Sequence, residues 1–336
     1  MKAKVDLKFW LGIGTSFFFM ALLFRKINFS QLSVALRLVD YRYIVLAVAC
    51  NFLSYFLRAV RWRYLLICEK PIPLSSLYPA TIIGYMANNL LPARLGEFVR
   101  AYILAQREGL QTPAVFASLV IDRIFDGGTV LILLLLTLMT LRLPPGMEEA
   151  AFALRTGGIV TTLFYVGVLV VMFLLKRFTR QTIAAIGYLA RPFPQSFSER
   201  LIPLLGSFIG GIRLSSRTSH RLALVVTSLL IWLFALIPVD LTLRAFDVHL
   251  PIAASMFILV LLVFAVMVPA SPGYIGTYHY ACFKGLSVFG IPEATSVSIA
   301  LIIHGTSFFP VIIAGCYHLW RGKISLTDIQ RANGKL

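Results

Sequence analysis

Long apolar runs recur along this chain, and two of them are broken in the middle by Pro and Gly. The runs constrain the fold first. A stretch of about 17 or more apolar residues is long enough to cross the hydrocarbon core as a helix. Within lipid only helices or closed barrels satisfy every backbone N–H and C=O. The breaks constrain it further. Leu90-Leu91-Pro92-Ala93-Arg94-Leu95-Gly96-Glu97 and Pro269-Ala270-Ser271-Pro272-Gly273-Tyr274-Ile275-Gly276 each interrupt an apolar stretch. Each is followed by a short return segment, a second Pro (Pro113, Pro292) and a long apolar helix with polar residues in it. Paired broken helices at matching places in two halves of a membrane protein point to a substrate site near the bilayer midplane.

Composition agrees with a membrane protein. Of 336 residues 59% are hydrophobic and 13% charged, against roughly 25% charged in a soluble domain. No long polar stretch is left over for a soluble catalytic domain; the most polar internal region, 176–221, is basic and partly amphipathic. The net charge of +17 reports topology and contact with anionic lipid before it reports nucleic acid, which is not expected as a partner. Cys50, Cys68, Cys282 and Cys316 are isolated, with no CxxC or His-rich spacing, so neither a metal site nor a disulfide framework is expected. The run from Phe9 to Phe24 lacks a small-x-small cleavage site before Arg25-Lys26 and reads as an uncleaved first helix.

The fold expected is all-α, with spans near 9–24, 43–66, 113–141, 155–175, 222–243 and 293–320. Regions 77–106 and 253–290 read as helical hairpins broken in the middle, and 28–39 as an interfacial amphipathic helix. Lys2, Lys4 and Lys8, the basic residues of a long central loop, and Arg321, Lys323, Arg331 and Lys335 favour cytoplasmic termini and a cytoplasmic centre. The hairpins then enter from opposite faces. Gly96 lies 17 residues before Pro113 and Gly276 lies 16 before Pro292; Gly96 lies 26 before Asp122 and Gly276 lies 28 before His304. These spacings predict an inverted-topology repeat. Its parts are a first helix with an interfacial helix (1–42), a first repeat (43–141), a connecting span with a basic segment (142–221), a second repeat (222–320) and a basic tail (321–336).

Charges inside such a region are expensive, about 2.5–3.5 kcal/mol or more each near a helix centre. Arg94, Glu97, Arg100, Asp122, Arg123 and Asp126 fall within the first half's membrane region. Asp122 and Asp126 are four apart and share a helix face, roughly 13 Å beyond Pro113 in the case of Asp122. These charges are expected to pair, as a structural network or as a pocket that leaves an Arg to hold phosphate with its planar donors. Arg58 and Arg61 share a face at the end of the second span beside Trp62, as snorkelling anchors at an interface or as a cytoplasmic phosphate-gathering site. Asn88, Asn89, Pro92 and Gly96 at one tip, and Pro269, Pro272, Gly273 and Gly276 at the other, supply turn geometry. His279 and His304 occupy corresponding positions of the second half, as a pH-sensitive contact or as helix-packing groups. No Walker A, Gly-x-Ser-x-Gly, His-Glu-x-x-His or Asp-rich metal motif is present in the sequence, and no catalytic residue, cofactor or metal is assigned.

Arg58-x-x-Arg61-Trp62, the Asn89-x-x-Pro92-x-Arg94-x-Gly96-Glu97-x-x-Arg100 run, Asp122-Arg123-x-x-Asp126 and Pro272-Gly273-x-x-Gly276 together resemble the flippase-like family. It is also called the lysylphosphatidylglycerol synthase transmembrane region family, and the resemblance runs from about residue 10 to 320. Its members include the membrane half of the multiple peptide resistance factor, which moves aminoacylated phosphatidylglycerol; others are associated with polyprenyl-phosphate sugar or hopanoid pathways. The resemblance implies that Arg94, Glu97, Arg100, Asp122, Arg123 and Asp126 form the polar pocket. The second tip departs from the family: many members have Gly-Gly and then Glu where this chain has Gly273-Tyr274 and then His279, which leaves substrate identity open. Residues 321–336 are too few for the aminoacyl-transferase half, so lipid aminoacylation is not expected.

The reading is a lipid flippase rather than an enzyme, in a bacterial or archaeal cytoplasmic membrane. Its ligand would be an anionic phospholipid or a polyprenyl-phosphate-linked intermediate, with Arg58, Arg61, Asn89, Arg94, Glu97, Arg100, Asp122, Arg123, Asp126, Pro272, Gly273, Gly276, His279 and His304 in contact with it. Self-association is left open. The alternatives are a membrane-embedded transferase acting on a polyprenyl-phosphate lipid and a proton-coupled small-solute carrier using His304.

Overall fold

The computed structural model describes residues 37, 39–66, 71–91, 95–141, 148–189, 195–212, 215–267 and 272–322. Among them the regular structure is helical, in the order α1 (Tyr41–Leu65), α2 (Leu74–Leu90), α3 (Gly96–Glu108), α4 (Thr112–Thr140), α5 (Glu148–Arg177), α6 (Thr179–Leu189), α7 (Gln195–Gly211), α8 (Thr218–Ala245), α9 (Ile252–Met267), a 3₁₀ turn (Pro272–Tyr274), α10 (Thr277–Ser287) and α11 (Glu293–Gly322). The expected span 9–24 lies outside the described residues, as does 28–39 apart from Arg37 and Val39.

Local chemistry sets the ends. Asp40 caps α1 by accepting from the Arg42 N–H at 3.0 Å. Hydrogen bonds from the Arg42 side chain hold the Asp40 carboxyl below its ordinary pKa. Pro113 opens α4, where its missing N–H has no partner to lose, and α3 stops at Gly109 with φ +69°. The two anticipated breaks fall between α2 and α3 and between α9 and α10.

Four described helices, Tyr41–Leu65, Arg155–Arg177, Thr218–Ala245 and Glu293–Gly322, are long and apolar enough to cross a membrane. Helix α4, at 29 residues, is as long but carries Asp122, Arg123 and Asp126. Large apolar side chains such as Leu163, Phe164 and Phe173 on α5 are more than 60% exposed. A surface of that kind belongs against lipid.

The basic stretch after Arg177, anticipated as a loop, is instead helical as α6 and α7. Its charges are interleaved with an apolar face, and α7 lays that face on α4, where Ile209 is buried and Gly211 comes so close that a Cβ would lie 2.7 Å from the Ala114 carbonyl oxygen.

The helices from 41–140 and from 218–322 pack on each other in matched pairs. The most extensive contact joins α1 to α8; α2 meets α11 as α9 meets α4, and α1 meets α11 as α8 meets α4. Two apolar cores form, one around Trp62, Leu77 and Leu104 that also takes in Leu224 and Leu319 of the second set, and one around Leu243, Ile258 and Leu286 that also takes in Val130 and Leu134 of the first. Between them, Pro310 leaves the Thr306 carbonyl without its helical N–H donor, and Asn51 of α1 donates to that oxygen at 3.2 Å.

Candidate functional site

Helix α4 brings Asp122 and Asp126 to one face, one turn apart, and α1 brings Arg58 and Arg61 against them. Asp126 accepts from Arg58 Nη1 at 2.7 Å, Arg61 Nη2 at 2.8 Å and the Trp232 Nε1–H of α8 at 3.2 Å. Asp122 Oδ1 accepts from Arg61 Nε at 2.8 Å, and Arg61 Nη1 donates to Ser228 Oγ at 3.1 Å. The side chains of Arg61 and Asp122 are fully buried. Neither snorkelling nor an exposed gathering site describes Arg58 and Arg61, because the last turns of α1 are covered by α4 and α8. Trp62 is also fully buried rather than in an interface belt, and its Nε1–H donates to Ser118 Oγ at 2.9 Å.

Helix α3 adds Arg100 and Glu97. Arg100 is buried, its guanidinium carbon 4.0 Å from the Trp62 ring centre, with one long contact of 3.4 Å from Nη1 to Asp122 Oδ2. Among the described residues its Nε and Nη2 are sealed from solvent and have no hydrogen-bond partner. Arg123 is more exposed overall, although its Nε is likewise sealed and without a hydrogen-bond partner among the described residues. Its side chain is 39% exposed and reaches Asp126 Oδ2 at 3.1 Å, Asp122 Oδ2 at 3.4 Å, Glu97 Oε1 at 3.5 Å and Tyr85 OH at 3.0 Å. Among the described residues the cluster thus holds four arginines, Arg58, Arg61, Arg100 and Arg123, against three carboxylates, Glu97, Asp122 and Asp126. Its most exposed members are Arg123, at 39%, and Glu97, at 21%, and the edge at Arg123 is where it opens.

The first tip is tied by Asn88, whose Oδ1 accepts the Gly96 N–H at 2.8 Å. Asn89, singled out from the sequence, instead presents its carbonyl to the second tip, 3.5 Å from where a Gly273 Cβ would stand. Arg94 lies outside the described residues. The second tip turns through Gly273 (φ +75°), Tyr274 (φ +57°) and Gly276 (φ +97°) and packs on α2. Pro272 opens that turn. A side chain at Gly273 would meet the Phe308 ring at 2.7 Å, so glycine is required there twice over.

His279 and His304 meet at this tip. The Gly276 N–H donates to His279 Nδ1 at 3.3 Å, His279 Nε2 lies 3.1 Å from His304 Nδ1, and His304 bonds the Gly273 backbone carbonyl. One tautomer of each neutral ring satisfies all three contacts, with the proton on Nε2 in both. The pair therefore staples α11 to the strained turn. Aromatic rings lie beside both sites: Tyr85 is 4.9 Å from Tyr55 at the first, and Tyr278 is 4.9 Å and Phe308 5.1 Å from His304 at the second, between ring centres.

Sequence reasoning did not single out Tyr85, Ser228 or Trp232. Tyr85 and Trp232 read as ordinary apolar-run aromatics, and only the pairing of distant helices reveals what they touch. Among the described residues no three His, Cys, Asp or Glu side chains converge as metal ligands.

Comparison with known proteins agrees in kind. The family model described as lysylphosphatidylglycerol synthase TM region matches residues 9–315. The glycosyltransferase AglD of Haloferax volcanii is 26% identical over 92% of this chain, and this chain spans 53% of that relative, about half its length. A UPF0104 membrane protein of Methanothermobacter thermautotrophicus is 25% identical over 85% of this chain and 87% of its own length. Another, of Pyrococcus horikoshii, is 26% identical over 86% and 90% respectively. No solved structure gives a significant match.

Proposed function

This chain belongs to the lysylphosphatidylglycerol synthase TM region family, and on that footing we propose that it moves a phosphate-bearing lipid across the membrane. The observation that carries the reading is Arg123: a cation at the open edge of a cluster with more arginines than carboxylates among its described residues. A guanidinium in that position offers planar donors to a phosphate oxygen, while Arg58 and Arg61 are spent on Asp122 and Asp126. The head group would pass from Arg123 along Tyr85 and Tyr55 toward the second tip while the acyl or prenyl tail stays in lipid.

Two re-entrant hairpins in an inverted repeat, over 43–141 and 222–320, fit this route. The matched pairing of α2 with α11 and of α9 with α4 supports that arrangement. So do the lengths: α2 has 17 residues, α3 13, α9 16 and α10 11, about 16–26 Å each and short of a core about 30 Å thick. Archaeal relatives fit a cytoplasmic membrane, and the basic residues near both ends and in the centre of the sequence fit termini on the cytoplasmic side.

Similarity to a relative named as a glycosyltransferase favours one second reading, in which the membrane region presents a polyprenyl-phosphate lipid for transfer. Reconstitution separates the two. In proteoliposomes carrying a fluorescent phospholipid, wild-type protein moves lipid between leaflets, and Arg123→Gln abolishes that movement in a protein that still folds. Full activity in Arg123→Gln rejects its role, and wild-type liposomes without lipid movement reject the transporter.

A further inference from the structure

Two arginines compete for one oxygen. Arg100 Nη1 and Arg123 Nη2 each lie 3.4 Å from Asp122 Oδ2. A charge-assisted N–H···O bond closes to about 2.7–2.9 Å, as the Asp126 contacts with Arg58 at 2.7 Å and Arg61 at 2.8 Å do. Asp122 Oδ2 therefore bonds neither rival well, and its other oxygen is committed to Arg61 at 2.8 Å.

The rivals are not equivalent. Arg123 has the Tyr85 hydroxyl at 3.0 Å, Asp126 at 3.1 Å and an open edge. Arg100 is 1% exposed, rests on Trp62, and among the described residues has two sealed donor atoms without partners, against one, Nε, on Arg123. Buried idle donors on a charged group are rare and call for an explanation. The backbone of Arg100 is in no position to retreat, because α2 crosses it at Gly84, where even a Cβ would lie 2.8 Å from Arg100 Cβ. Only the end of the side chain is free to adjust.

We infer that an anionic phosphate oxygen at Arg123 draws it away from Asp122, and that Asp122 Oδ2 then closes on Arg100. Head-group capture at the open edge is thereby converted into a tighter hold of α4 on α3. This rests on the reading of Arg123 as the phosphate donor. Arg123 touches the ligand; Asp122 and Arg100 are positioning residues that pass its arrival to the α2–α3 pair. The recognised chemistry is a phosphate oxygen, supplied by a lipid head group or by free phosphate.

Hydrogen exchange on the full chain in uncharged maltoside micelles tests it, with dioctanoyl-phosphatidylglycerol, inorganic phosphate or dioctanoylglycerol added. Binding of the first should raise amide protection over residues 96–108 by about tenfold or more, the scale of one charged hydrogen bond. Dioctanoylglycerol, which has no phosphate, should leave it unchanged, and an equal rise with it would overturn the hand-over. A rise with inorganic phosphate as well supports the same hand-over and identifies the free anion as sufficient; a rise with the lipid alone supports it with a head-group source. Arg100→Met should still bind the lipid saturably but show no rise, and Arg100→Lys, which keeps one cationic donor, should show a reduced one. A wild-type rise in Arg100→Met, or saturable wild-type binding with no change over 96–108, would overturn the hand-over alone. If neither phosphate probe binds the wild-type protein saturably, the phosphate reading of the site fails and the hand-over fails with it. The wild-type comparison decides even where a variant does not fold.

Discussion

At the scale of single residues, burial separates structural charge from available charge. Asp126 meets Arg58, Arg61, Arg123 and the Trp232 indole, with its side chain 8% exposed. Removing one member of such a buried network leaves the others uncompensated, at about 3–5 kcal/mol. Asp126→Ala is therefore expected to lose about that much stability in detergent, read as an earlier urea or thermal transition. Arg123, with a side chain 39% exposed, is the most exposed described member of the network. Its loss is expected to cost no more than about 1 kcal/mol, so a transport defect in Arg123→Gln would not be a folding defect in disguise. Equal destabilisation by the two changes would contradict this division.

At the scale of elements, close helix crossings decide where Arg100 sits. Gly96 opens α3 so near α2 that a Cβ would fall 2.0 Å from the Gly84 carbonyl oxygen and 2.5 Å from Asn88 Oδ1. Overpacking of this kind costs about 1–3 kcal/mol, and Gly96→Ala should lower the melting temperature and weaken phosphate-lipid binding together. Gly206 within α7 has nothing within 4 Å of its would-be Cβ. Gly206→Ala should be neutral or gain up to about 1 kcal/mol of stability. A Gly96→Ala protein as stable as Gly206→Ala would mean that α2 and α3 do not cross as described. The breaks around these glycines were legible in the sequence because Pro and Gly are local signals, and the shared face of Asp122 and Asp126 because spacing reports a single helix. The partners were not legible. Arg58 and Asp126 are 68 residues apart and Asp126 and Trp232 are 106 apart, and spacing says nothing about which distant helices meet. For the same reason Trp62 looked like an interface anchor, although Arg100 of α3 and Ser118 of α4 pack on it and bury it.

For the whole molecule, the question is which face each helix pair starts from. Helices α2 and α3, at 17 and 13 residues, reach about 26 and 20 Å, whereas α4 at 29 residues reaches about 44 Å. Two short helices that pack on each other and lead into a long one are best accommodated if the pair enters and leaves by one face and α4 makes the crossing. The same logic applies to α9 and α10, with 16 and 11 residues, before the 30 residues of α11. If the halves are inverted, the ends of the two pairs lie on opposite faces. Pro71 and Gln106 flank the first pair, Asp247 and Gly290 the second, and all four are exposed. Single cysteines at these positions, in a background lacking the native ones, should react with an impermeant maleimide in two sets. Pro71→Cys and Gln106→Cys should label together from the cytoplasmic face, and Asp247→Cys and Gly290→Cys together from the other. Labelling of Pro71→Cys and Gln106→Cys from opposite faces would make α2–α3 a crossing rather than a re-entrant pair. That result would place the open edge at Arg123 on a different route through the membrane, and the matched pairing of α2 with α11 and α9 with α4 would then need an explanation other than inverted symmetry.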